Sequence, residues 1–338
     1  MPKKNPVPKL PPLLGRKLYK TGQTRGADDD VIYQNRVSRS STVLIPYATW
    51  PQCRTPSPSE AAYENGFIVL ISPDYYFLNR TIAEDLLEQG LALGKNALVF
   101  YETRAQWTAH NPDALDWQPA KNRRAPLGGQ YVARIAGTTA LGGVGGKINR
   151  GFTETAMKGA GIRVYEYASE VTNAQCRSQL EAIFWLCNDA LAVAMSNGMT
   201  QEDAERRKAA CLAQCQQASL LDVAKLSHAR IINAAGKTVC PLCLEELSAQ
   251  GFFNRMEQAE GRAVHDLTIT QLNLFHIHEL RIGVTNHRPY NLGLGHHHCN
   301  VVVKDSGIVE TLQWMKKVIE RNTVDGHLPP ENASNIAN

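Results

Sequence analysis

The stretch that decides how the C-terminal third folds runs from Cys240-Pro-Leu-Cys243, through Phe275-His276-Ile277-His278-Glu279, to Asn291-Leu-Gly-Leu-Gly-His296-His297-His298-Cys299-Asn300. A Cys-x2-Cys pair can give two thiolates to a tetrahedral zinc, and His296-x2-Cys299 can give the other two ligands from a later segment. Pro241 between the first two cysteines favours a knuckle turn over a helix. The competing reading makes Cys240 and Cys243 ordinary buried thiols and His296 to His298 a surface run. Seven of the ten histidines fall between 265 and 298, which argues against chance. Which of His296, His297 and His298 is the ligand stays open at this stage.

Between the two halves of the clasp, residues 268–278 have strand character. Residues two apart on a strand share a face, so His276 and His278 are expected side by side. Hydrolysis of a phosphodiester needs a base to deprotonate water and a divalent ion to stabilise charge on the phosphate and the leaving oxygen. Imidazole suits the first task near neutral pH. Asn300 is expected to open a helix, with its amide and the Lys304 ammonium four residues apart on one side.

These residues resemble the HNH branch of the ββα-metal nucleases. That family's motif is a His near the end of one strand, a later Asn-Leu, and a Cys-x2-Cys-His or Cys-x2-Cys-Asn at the start of a helix, with an earlier Cys-x2-Cys completing a zinc site. Here the matching positions are His276 or His278, Asn291-Leu292, and His296-x2-Cys299-Asn300. The resemblance implies a structural zinc on Cys240, Cys243, His296 and Cys299, a histidine general base, Asn291 bracing the loop, and Asn300 as ligand of a catalytic magnesium. His276 is the first choice for the base, because His-Ile follows the family pattern; His278 is the alternative. The sequence departs from the pattern in three ways. His296 stands where Cys is usual, the position before the base is Phe275 or Ile277 rather than a ligand, and the interval from Cys243 to His296 leaves room for an inserted helix around Leu244 to Gly261.

The motif accounts for less than a quarter of the 338 residues. Upstream, Gly66 to Ser72 and Ala97 to Tyr101 read as strands and Thr81 to Leu93 as a helix, a strand-helix-strand unit with a crossover long enough for parallel pairing. Residues 107–151 read as irregular, and Ile162 to Tyr167 as a strand. From Asn173 to Ile232 the pattern is helical, with one run ending at Asn197-Gly198 and the next capped by Thr200. The tract Gly142 to Lys147 is not a phosphate loop, since Leu141 and Ile148 occupy positions that need Gly and Ser or Thr; no nucleotide cofactor is expected. Cys211 and Cys215 read as small residues packing in a helix interface rather than as metal ligands. A second carboxylate pattern, Asp74 followed by Glu102-Thr-Arg104, suggests another nuclease fold, but Arg104 stands where a lysine is required.

The expected fold class is mixed α+β. It comprises an extended arm over 1–30, a large α/β and helical DNA-recognition and dimerisation region over 31–235, a zinc-stabilised HNH-like ββα-metal module over 236–325, and a tail over 326–338. The net charge of +4 permits a polyanionic partner without requiring one. No apolar run is long enough to span a bilayer and no signal peptide is apparent, so the chain reads as cytoplasmic, and its scattered cysteines suit a reducing compartment. A large region without repeats fused to such a module looks most like a type II restriction endonuclease, acting on double-stranded DNA as a homodimer. Lys121, Arg123, Arg124, Arg134, Lys147 and Lys304 are the candidate DNA contacts. The alternative is a zinc-stabilised DNA-binding protein without catalysis.

Overall fold

Short apolar runs rich in Val, Ile and Leu are what a sheet buried on both faces requires, and they set the architecture of the first part of the chain. A computed structural model describes residues 6–18, 39–53, 63–135, 148, 150–152, 161–254, 270–304 and 306–329. It divides into two compact units. One takes Ala27–Ala174 and Leu280–His287; the other takes Met1–Gly26, Gln175–Glu279 and Arg288–Asn338.

The elements follow in chain order. Helix α1 (Pro12–Leu18) precedes β1 (Val43–Pro46), α2 (Trp50–Cys53), β2 (Phe67–Ile71), α3 (Pro73–Leu78), α4 (Ile82–Glu88), β3 (Ala97–Tyr101), α5 (Arg104–Ala109), β4 (Tyr131–Ala133) and β5 (Ile162–Arg163). The five strands form one parallel sheet in the order β4-β3-β2-β1-β5. Val43, Ile45, Val69, Ile71 and Ala97 are buried on one side with Trp50, Ile82, Leu86 and Tyr167, while Ile68, Leu98 and Val132 are buried on the other with Leu127 and Phe152. The strand-helix-strand expectation for 66–101 matches β2, α4 and β3, although α4 stops at Glu88, ahead of Gly90 with φ +71°. Three strands differ from the sequence reading, which did not foresee β1. β4 lies inside the segment read as irregular, and β5 is only two residues long before a 3-10 turn at Val164–Glu166.

The second unit holds α6 from Gln175 onward (Glu170–Trp185 in full), α7 (Ala190–Ser196), α8 (Gln201–Gln217), α9 (Val223–His228), the antiparallel pair β6 (Leu272–His276) and β7 (Leu292–His296), then α10 (His297–Val303) and α11 (Ile308–Val324). Thr200 caps α8, its hydroxyl accepting the Asp203 amide at 3.1 Å. The expected single run ending at Asn197 is two helices, broken at Leu186–Asp189. Part of the expected extended arm is helical: Leu14 and Leu18 of α1 are fully buried in the same core as Ile183, Phe184 and Phe252. In place of a helix from Leu244, the described residues hold a 3-10 turn at Ala249–Phe252; residues 255–261 of that expectation lie outside them. The Gly-rich tract with Lys147 and most of the tail also lie outside the described residues. Cys211 and Cys215 are buried on α8, with both sulfurs near the Ser178 carbonyl, as packing groups. No helix among the described residues is long and apolar enough to cross a membrane.

Candidate metal centre and the hairpin around it

Four ligand atoms, from Cys240, Cys243, His296 and Cys299, lie within 4.8 Å of one another. Bond lengths to zinc of about 2.0–2.3 Å put the edges of a tetrahedron at about 3.3–3.8 Å, so the cluster has the donor chemistry of a zinc site and is close enough to contract onto one ion. Of the three consecutive histidines, His296 is the one in the cluster, its Nδ1 3.4 Å from the Cys243 sulfur. Among the described residues no other set of three or more His, Cys, Asp or Glu side chains converges in this way.

The local backbone explains the convergence. Cys240 and Cys243 flank a tight turn in which the Leu244 amide donates to the Cys240 carbonyl and the Cys240 amide to the Glu245 carbonyl, both at 2.9 Å, with Leu244 at φ +64°. Arg230 holds the outer side of this turn, its Nε donating to the Pro241 carbonyl at 2.6 Å and its Nη2 to the Leu242 carbonyl at 3.3 Å. The other two ligands come from the junction where β7 becomes α10: His296 ends the strand and Cys299 lies in the first helical turn, so the x2 spacing folds both back to one point. Gly295 is required by close approach. A Cβ there would stand 2.6 Å from Phe275 Cδ2 and 3.4 Å from the Cys240 sulfur.

Burial raises the thiol pKa values of Cys243 and Cys299; the neighbouring thiols of Cys240 and Cys243 add to the rise at Cys299, while the Glu245 backbone opposes it at Cys243. Burial and the adjacent His298 lower that of His296, favouring the neutral imidazole that binds metal. A divalent cation reverses the penalty on the thiols, because coordination is to thiolate.

Beyond the clasp, β6 and β7 pair from Leu272 opposite His296 to His276 opposite Leu292. The strand ends at His276, so the alternation that was to bring His278 onto the same face stops one residue short; Ile277 and His278 form a bend. Asn291, which is buried, fixes that bend. Its Oδ1 accepts the His278 amide at 2.7 Å, its Nδ2 donates to the His278 carbonyl at 3.1 Å, and its own carbonyl accepts the Ile277 amide at 3.0 Å. His276 is half-buried and His278 exposed. Asn300 does not begin the helix, as expected from the sequence, but lies in its interior; its Nδ2 donates to the Leu274 carbonyl on β6 at 3.3 Å. The Asn300 Oδ1 has no hydrogen-bond partner among the described residues and is free to ligate. Lys304 lies past the end of α10 with φ 44°, so it shares no helical face with Asn300.

The remaining candidates stand in the sheet unit. Lys121 and Arg124 are exposed, Arg123 is half-buried with one buried guanidinium nitrogen that has no partner among the described residues, and Arg134 is exposed just after β4. Asp74, of the second carboxylate pattern, pairs with His110 at 3.4 Å and accepts Gln106 Nε2 at 3.2 Å. It belongs to no metal-suited group. Sequence reasoning passed over Arg230 and Gly295, which shape the clasp without any motif of their own, and Asp189, which holds the start of the 3-10 turn at Ala249–Phe252. Asp189 accepts Ser248 Oγ at 2.6 Å and the Ala249 amide at 2.7 Å.

A family model described as BstXI restriction endonuclease matches residues 16–297, most of the chain. No curated protein and no solved structure matches it.

Proposed function

Since the chain belongs to the BstXI restriction endonuclease family and is therefore a DNA-cleaving hydrolase, we propose that it is a sequence-specific type II enzyme whose cutting centre is the β6-β7-α10 hairpin, an HNH-type site. The observation that carries this reading is the coincidence of a four-ligand clasp with two strands and a helix in the ββα order, with Asn300 bonded to the strand that ends in His276 and Asn291 bonded to the bend that holds His278.

Cys240, Cys243, His296 and Cys299 would hold zinc as a structural ion. Asn300 Oδ1, with an imidazole of the His276 and His278 pair, would hold the catalytic magnesium, which keeps several waters and so needs few protein ligands. When bound, that ion stabilises charge on the phosphate and the leaving oxygen. His276 takes the proton of the attacking water, the new bond forms from the water oxygen to phosphorus, and the bond to the leaving oxygen breaks. A second register has an observation in its favour: the Asn291 clamp closes on the His278 backbone, which would make His278 the base and His276 the ligand.

We further propose a homodimer, one site per strand of a symmetric target, with the exposed Trp314 and Ile319 on α11 contributing contacts. Digestion of plasmid DNA tests both parts. Discrete fragments are expected with magnesium and none with chelator, and linear product is expected without build-up of nicked circles. Cleavage that survives chelation contradicts the metal-dependent centre, and accumulation of nicked circles contradicts the dimer. Loss of cutting in His278→Ala with normal cutting in His276→Ala would select the second register.

A further inference from the structure

The sheet unit carries a cavity of about 720 Å³ at the carboxyl ends of its strands. Every strand delivers residues to it: Pro46 and Tyr47 end or follow β1, Ile71 and Ser72 do so for β2, Glu102 for β3, Arg134 for β4, and Arg163 with Tyr165 for β5. In open parallel sheets ligands bind outside the carboxyl ends, at the point where strand order reverses. Here the order reverses at β1, with β2 on one side and β5 on the other, and the cavity spans that place.

Its chemistry is specific. The floor is apolar, from Leu44, Leu70 and Phe100. One wall is aromatic: Tyr47 and Tyr75 stand 5.1 Å apart with rings tilted by 42°, and Gln89 Nε2 fixes the Tyr47 hydroxyl at 2.8 Å. Two cations stand at the rim. Arg163 donates to the Tyr165 hydroxyl at 2.7 Å, while the Arg134 side chain has no hydrogen-bond or ion-pair partner among the described residues. Glu102 adds a carboxylate of the kind that accepts from an exocyclic amine.

We propose that this cavity receives a single nucleotide extruded from the DNA substrate. The base lies on the apolar floor against the tyrosines, and its phosphate meets Arg134 and Arg163. The volume is that of a site for a small ligand, an aromatic wall stacks any base, and a rim of arginines meets phosphate bidentately. The assignment rests on the chain acting on DNA and is independent of the hairpin mechanism.

The test compares, with calcium in place of magnesium, binding of the matched target duplex with duplexes mispaired at one position at a time. A mispaired base is already partly unstacked, so at one position in each half-site the wild type should bind the mispaired duplex about tenfold tighter or more. Ala48→Trp, which fills the cavity, and Tyr75→Ala, which removes exposed wall, should both erase that preference and weaken matched-duplex binding without abolishing it, while zinc content stays at the wild-type value. A flat profile at every position in the wild type overturns the proposal, as does a preference unchanged in both variants. Titration with the four free deoxynucleoside monophosphates is the second arm. Saturable binding there that Ala48→Trp abolishes, together with a flat mismatch profile, reassigns the cavity to a free nucleotide and overturns extrusion. Failure to bind the matched duplex at all counts against the endonuclease reading instead.

Discussion

The parallel sheet and the β6-β7 hairpin reach order by opposite routes. The sheet has five strands buried on both faces by large apolar side chains, and its stability is spread over many residues of which none is decisive. The hairpin has two strands, with glycines at two of the five positions of β7. A two-stranded hairpin alone is marginal in water. Its order rests on the core beneath Phe275 and Leu294, on the Asn291 clamp and on four ligand side chains. An ion in the clasp would add to this short hairpin a fixed point that the sheet does not need.

The comparison breaks most visibly at a ligand. Cys299→Ser should release zinc, lower the melting temperature and abolish cleavage together, because zinc at such sites contributes on the order of 10 kcal/mol or more to folding. Elemental analysis beside calorimetry checks this; a full equivalent of zinc in the variant, or an unchanged melting temperature, contradicts it. In the sheet the same experiment should give a graded result. Ile45→Ala, fully buried, is expected to cost about 2–5 kcal/mol in denaturant unfolding while the folded protein keeps its zinc. The smallest effect concerns Asp189, which holds the turn at 248–250. Burial alone would raise its pKa, but hydrogen bonds from Ser248, Ala249 and Gln250 outweigh that and hold it below the usual carboxylate value. Its contribution is present above the unfolded pKa of about 3.9 and is lost as pH falls through the depressed folded value. Asp189→Ala should cost about 1–2 kcal/mol at neutral pH and nothing at the acid end of that range; an equal cost at both ends would sink the assignment.

The same contrast explains what could be read from the sequence. The clasp was legible because ligand chemistry fixes residue type and spacing together: two x2 pairs named the four side chains the structure brings within 4.8 Å. β2 and β3 were legible as apolar runs bounded by turn residues. β1 and β4 were not, since Val43–Pro46 and Tyr131–Ala133 are too short to show a period, and their burial follows from pairing with distant strands. The carboxyl-edge cavity was invisible for the same reason: its polar and aromatic side chains come from the ends of five different strands, and only the parallel register collects them. His278 was misplaced because strand alternation was extended past His276, where the Asn291 bonds turn the chain.

In the function proposed here the hairpin cuts DNA with its histidine pair on a zinc-held frame. Its most direct test is cleavage of target duplex by the double variant His276→Ala with His278→Ala, alongside zinc content and binding of uncut duplex. No detectable cutting is expected, with a full equivalent of zinc and target affinity close to that of the wild type; cutting at the wild-type rate would exclude the hairpin as the cutting centre.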